Sequence, residues 1–214
     1  MQRNPTISNS KIIAFVVFVC AALITSLFVY HTSHQIKQAN LSNNAGLIFP
    51  VPRDIKNFEL ITANNQKFTE NNLRNHWTLL FFGFTHCGSV CPATLDMMKR
   101  VYPDLHKTYP NLQVVLVSLD PERDTPDIVT KYATSFNPDF IGTTAKMDEL
   151  RKLQSQFGVY SARDENSGSN YQLQHTPSIM FITPEGKWAG FFRFGMKPSE
   201  FNKAFAEGIA ILRG

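Results

Sequence analysis

Hydrophobic and polar positions divide the chain into one long apolar run, a polar stretch and a region of mixed periodicity. Across residues 12–30 only Thr25 and Ser26 are polar, and nineteen helical residues at about 1.5 Å each cover roughly 28 Å, close to the hydrocarbon thickness of a bilayer. The run predicts a single transmembrane anchor. Ala21 and Ala22 fall in its middle and bulky residues continue to Tyr30, unlike the short core and small-residue cleavage site of a signal peptide, so the anchor is expected to stay uncleaved. The amino terminus, Arg3 and Lys11 outnumber the single Lys37 beyond the run, which places residues 1–11 in the cytoplasm. The remainder is then exported, which in a bacterium means an inner-membrane protein whose globular part lies in the periplasm. Residues 31–49 have the pattern of a polar tether, and Pro50 and Pro52 mark the start of a folded domain over residues 50–214. His31 and His34 in the tether have metal-like spacing, but histidines in a polar stretch beside a membrane are more often simply solvated.

Within the domain the periodicity alternates. Residues 58–62 and those around Phe68, separated by Asn64 and Asn65, predict a hairpin. Residues 77–84 form a continuous apolar run that feeds through a short loop into a helix opening at Pro92. Leu95, Met98, Tyr102 and Leu105 share one face of that helix, and Pro103 predicts a kink or a restart. Residues 113–119, rich in valine, have the look of a strand buried on both faces of a parallel sheet. Helices over residues 126–136 and 147–157 follow, then a mobile glycine- and serine-rich loop at 161–170. A hairpin of residues 179–183 and 188–194 and an amphipathic helix over 198–212 close the chain. Strand, helix, strand, helix, hairpin, helix is the order of an α/β, thioredoxin-like domain.

Composition narrows the functional classes. Hydrophobic content of 43% and charged content of 18% are ordinary for a globular protein. Without Arg3 and Lys11, 19 basic side chains face 17 acidic ones, which leaves no nucleic-acid footprint. Of three cysteines, Cys20 lies in the apolar run, leaving the pair in Cys87-Gly88-Ser89-Val90-Cys91-Pro92. Both sit at the start of a helix, whose partial positive charge and free N–H groups favour a thiolate over the thiol's ordinary value of about 8.5. Three intervening residues allow the pair to close around an ion or around itself, so metal and disulfide are rival states of one site. In a thioredoxin-like sheet the loop before the hairpin faces the cysteine loop, which brings His175 to the same place. Met97 and Met98 are soft metal ligands or core. The charged loop at residues 120–126 stands at the strand edge where ligands gather, or Asp124 or Thr125 merely caps the next helix.

Three segments together resemble the Sco (SenC) family: residues 83–92 around the cysteines, residues 118–126 (Ser-Leu-Asp-Pro-Glu-Arg-Asp-Thr-Pro), and His175 ahead of a strand ending Thr183-Pro184-Glu185-Gly186. The likeness runs from about Phe58 to the C-terminus. It implies a membrane-anchored, thioredoxin-like metallochaperone, not an enzyme, that binds copper as Cu(I) or Cu(II) through Cys87, Cys91 and His175. Its implied partner is the copper A subunit of cytochrome c oxidase or another copper acceptor. The chain departs from the family in Gly88-Ser89, where proline and an acidic residue are usual, and in Gln174, where aspartate is usual. Thr176-Pro177 resembles the cis-proline position of thioredoxins, which leaves a rival reading: Cys87 and Cys91 as the redox-active pair of a thiol-disulfide reductase. A structural zinc site would want four protein ligands, and three are offered.

Overall fold

The computed structural model describes residues 17–27, 39–41, 44–163, 168 and 171–213. The chain divides into two compact units, Met1–Gln38 and Ala39–Gly214. In the first, residues 17–27 form an exposed helix, α1, in which Thr25 Oγ1 donates to the Ala21 and Ala22 carbonyls. Among the described residues no helix is long and apolar enough to cross a membrane. Helix α1 falls inside the anchor expected at 12–30; the other positions of that span, residues 1–11, His31 and His34 lie outside the described residues.

The second unit is built on a seven-stranded sheet of order β1-β2-β11-β10-β5-β6-β7. Its strands are β1 (Ala39–Asn40), β2 (Gly46–Asp54), β5 (Trp77–Gly83), β6 (Leu112–Ser118), β7 (Ile141–Thr143), β10 (Ser178–Ile182) and β11 (Lys187–Arg193). The chain crosses from β5 to β6 through helix α2 (Val90–Thr108) and from β6 to β7 through α3 (Pro126–Phe136), so both pairs are parallel. Helix α4 (Met147–Phe157) and α5 (Pro198–Arg213) complete the layers. Alternate side chains along β5 leave opposite faces: Leu79 and Phe81 join a core with α2, α3 and α5, while Leu80 and Phe82 join a second core with α4 and the β3–β4 hairpin. That hairpin, β3 (Glu59–Ile61) and β4 (Lys67–Thr69), turns at Asn64 and Asn65, whose φ of 57° and 55° asparagine tolerates.

Several elements depart from the sequence expectation. Strand β2 begins inside the expected tether and runs across the boundary drawn at Pro50; Pro50 and Pro52 occupy the stretch between the Ile48–Gly190 and Arg53–Trp188 pairs, where the register breaks and no ladder N–H is needed. Opposite Ile48, Gly190 has φ 152°, and a Cβ there would lie 2.0 Å from the Leu47 carbonyl oxygen. The folded unit therefore begins at Ala39, ahead of the boundary expected at residue 50. Helix α2 opens at Val90, two residues before Pro92, because a proline is tolerated anywhere in the first turn, where N–H groups have no partner. It also runs on through Pro103 to Thr108. The mobile loop expected at 161–170 begins as strand β8 (Ser161–Arg163), paired with β9 (Leu173–His175).

Candidate metal centre

The parallel pair β5 and β6 ends at one edge of the sheet, so the cysteine loop and the charged loop after β6 lie side by side. Asp124 joins them. Its carboxylate is fully buried and accepts from Thr85 N (2.8 Å), Thr85 Oγ1 (2.5 Å) and Ser118 Oγ (2.5 Å). Thr125, not Asp124, caps α3, its side chain accepting from Ile128 N. The loop so anchored delivers Cys87 half-exposed and Cys91 buried in the first turn of α2. The Cys91 N–H donates to Cys87 Sγ at 3.3 Å, the helix N-terminus turned on the thiol as expected. Beneath Cys91 lies Gly83, where a Cβ would approach Sγ to 3.1 Å.

His175 comes from the other side. Strand β10 is antiparallel to β5, pairing Ile179 with Phe81, so the residues before β10 meet the end of β5. The imidazole sits edge-on to Phe81 and Phe84, with Nε2 at 3.4 Å from Cys91 Sγ and Nδ1 at 3.3 Å from the Thr176 carbonyl oxygen. A carbonyl only accepts, so Nδ1 carries the hydrogen and Nε2 turns its lone pair towards sulfur. The donor atoms of Cys87, Cys91 and His175 all lie within 4.8 Å of one another. Met98 is fully buried in the core and Met97 packs on the same core. Cys20 is exposed on α1.

Burial reverses one electrostatic expectation. The Cys91 thiol is pushed well above its ordinary range, first by burial and then by its hydrogen bond with Cys87, so a helix N-terminus does not make it acidic. Burial pulls His175 the other way, below its ordinary value, with the Thr176 carbonyl opposing in part. Near neutral pH the pair is thus an S–H donor facing a neutral imidazole. Tyr132 of α3 looks on the same site: burial, then the fields of Cys91 and Cys87, hold its phenol protonated. No peptide bond among the described residues is cis, so Pro177 does not take the thioredoxin form expected of it. A second group, His86, Asp120 and Asp124, also has its donor atoms within 4.8 Å, but both carboxylates are already engaged. Asp120 accepts from Arg123 Nε and the Tyr171 hydroxyl, each at 2.5 Å.

A family model described as SCO1/SenC matches residues 52–210. The chain belongs to the SCO1/SenC family. It is 31% identical over 150 residues to the SCO2-like protein RP587 of Rickettsia prowazekii, covering 69% of this chain and 73% of that one. Among solved structures it resembles Arabidopsis thaliana ScoI with copper bound, at 29% identity and a TM-score of 0.68 over 72% of this chain and 97% of that one. Yeast Sco1 with copper bound matches at 25% identity and a TM-score of 0.67, covering 74% and 90%. Copper is thus the metal of the family, and the thioredoxin-like fold is shared with it. Two thiols and an imidazole also fit copper chemically: soft sulfur suits Cu(I), and nitrogen extends the set to Cu(II).

The departures of this chain from the Sco pattern are sterically open. A Cβ at Gly88 would meet nothing within 4 Å, and Gln174 is exposed on β9. Sequence reasoning brought Cys87, Cys91 and His175 together but missed Asp124 as the anchor of the cysteine loop, and missed Tyr171, Phe81 and Phe84. The available signal for Asp124 was a second aspartate in a short loop behind an all-apolar strand; for Tyr171 it was an aromatic directly after the polar loop.

Proposed function

We propose that this protein is a copper carrier that holds the ion on Cys87, Cys91 and His175 and passes it to the copper A subunit of cytochrome c oxidase. The observation that carries this reading is the convergence of the three donors, with His175 Nε2 aimed at Cys91 Sγ. In the carrier's uptake step Cys91 gives up its thiol proton, because the ligand is the thiolate; burial makes that proton costly to remove until a cation replaces it. His175 needs no deprotonation to serve, since its neutral imidazole already turns the Nε2 lone pair towards Cys91 Sγ. Cys87, the more exposed thiol, is the sulfur an acceptor reaches first, so transfer proceeds by exchange of its ligand from that side. The proposed setting is a bacterial inner membrane, with residues 12–30 as anchor and the domain in the periplasm; the apolar run and the basic bias ahead of it support this.

The test is a titration of the reduced chain under anaerobic conditions. One copper ion per chain is expected, with Cys87→Ser or Cys91→Ser abolishing tight binding. His175→Ala should lower Cu(II) affinity far more than Cu(I) affinity, because two thiolates hold Cu(I) alone while Cu(II) prefers more donors. Full occupancy surviving both cysteine substitutions would sink the assignment. Oxidase assembly supported at normal protein level by His175→Ala, with its Cu(II) affinity shown to be lost, would instead move the reading to the thiol-disulfide reductase, which needs the dithiol and not the imidazole.

A further inference from the structure

Strand β9 delivers His175, yet it stands outside the seven-stranded sheet and pairs with β8 alone. A two-stranded ribbon is marginal in water, so other contacts must hold the imidazole 3.4 Å from Cys91. At the open end of the ribbon Thr176 and Tyr160 exchange two bonds of 3.1 Å, and Gln154 of α4 donates to Ser161 Oγ at 2.7 Å. The buried tie is Tyr171, whose side chain belongs to a residue only 4% exposed. The guanidinium carbons of Arg123 and Arg163 each lie 3.6 Å from its ring centroid. Two like-charged planar groups do not fit on one face at that distance, so they clamp the ring from opposite sides. Arg163 belongs to β8 and also reaches Glu122 at 3.2 Å; Arg123 belongs to the loop after β6 and bonds Asp120. The phenol donates to Asp120 Oδ1, and burial followed by that bond pushes it up to about 12, so it remains a donor. Arg123 Nη2 is buried with no partner, a cost that leaves the guanidinium flat against the ring.

We infer that Tyr171 is a positioning residue for His175: clamped by Arg123 and Arg163 and bonded to Asp120, it fixes the histidine arm to the loop whose Asp124 fixes the cysteine arm. One segment, residues 120–124, then sets the separation of the imidazole from both thiols. The cysteine loop hangs chiefly on Asp124, with Gln172 Nε2 adding one bond of 3.3 Å to the His86 carbonyl, and the imidazole depends on Tyr171. The inference rests on the reading of His175 as a copper ligand, and it predicts that damage to the clamp harms the nitrogen donor selectively.

The experiment compares the full chain with Tyr171→Leu, Tyr171→Phe and His175→Ala, each loaded with Cu(II) or Cu(I) ions, after circular dichroism has shown it folded. Tyr171→Leu is expected to weaken Cu(II) binding by about 10- to 100-fold, the usual cost of losing an outer support of a metal ligand, and to diminish the imidazole nitrogen splitting in the electron paramagnetic resonance spectrum. Its Cu(I) affinity should stay close to wild type. Tyr171→Phe keeps the clamped ring and loses one hydrogen bond, so it should restore Cu(II) affinity to within about fivefold of wild type. A purely structural role would lower the unfolding midpoint and leave the spectrum of the folded protein unchanged. Wild-type affinity and spectrum in Tyr171→Leu, with both lost in His175→Ala, overturns the inference and spares the ligand reading. Both retained in His175→Ala removes the ligand reading and the inference with it. Should Tyr171→Leu not fold, Tyr171→Phe combined with Arg163→Gln keeps a ring in place while opening the clamp; the same selective Cu(II) loss supports the inference, and wild-type Cu(II) binding overturns it.

Discussion

Two glycines near the thiols do opposite work. At Gly83 a Cβ would come within 3.0 Å of the Phe81 ring, 3.1 Å of Cys91 Sγ and 3.2 Å of Leu116 Cδ1, so the missing side chain is what lets the buried thiol settle against β5. Gly83→Ala is expected to cost about 1–3 kcal/mol by overpacking and to weaken copper uptake by displacing Cys91. At Gly88 a Cβ would meet nothing within 4 Å and φ is not positive. Gly88→Ala should therefore stabilise by about 0.4–1 kcal/mol through the unfolded chain and leave copper capacity intact. Denaturant unfolding and a copper titration of both variants check the pair. Equal effects of the two substitutions would show that close packing against Cys91 does not matter.

At the scale of elements, the loop after β6 acts as a bracket between two arms that carry the donors. The cysteine arm hangs on Asp124, and removal of that carboxylate strands the Thr85 N–H and the Thr85 and Ser118 hydroxyls. Asp124→Ala is expected to cost roughly 2–4 kcal/mol, since a buried donor left without its acceptor loses more than an average hydrogen bond contributes. Amide exchange should accelerate at Thr85 while the β10–β11 pair keeps its protection. Stability within about 0.5 kcal/mol of wild type would show that the carboxylate is not what holds the loop. Periodicity located α2, α3 and α4 well, because each presents an apolar face that must meet the sheet. Strand β8 escaped notice because three residues that pair with β9 and face no core leave no alternation to find.

Across the whole molecule, stability is divided between the two cores on either side of the sheet, and β2 contributes to both. Ile48 joins the α2 and α5 side and Phe49 joins the α4 side, at 0% and 5% exposure. A fragment beginning at residue 39 should therefore unfold cooperatively. One beginning at residue 50 should lose at least about 4 kcal/mol, since deleting a single buried Ile or Phe side chain costs 2–5 kcal/mol in a typical core. Against a total of about 5–15 kcal/mol, that truncation removes a large share of the stability and lowers the denaturation midpoint. Coincident denaturation midpoints for the two fragments would place the start of the fold at the prolines after all.

Local chemistry made much of this protein legible in one dimension. The spacing of Cys87 and Cys91, the all-apolar β5 and β6, and a histidine ahead of a hairpin are short-range patterns, and the order of the elements leaves few ways to arrange them in one sheet. Protonation was not legible, because it depends on burial: the start of a helix favours a thiolate, and only the packing of Cys91 under β5 and beside His175 shows that desolvation outweighs that effect. Nor were the supports of the site. Asp124 meets Thr85 across 39 positions, and Tyr171 meets Asp120 across 51. Bonds between residues so distant in the chain have no period and no local signal, and they exist only once the sheet has brought its loops to a common edge.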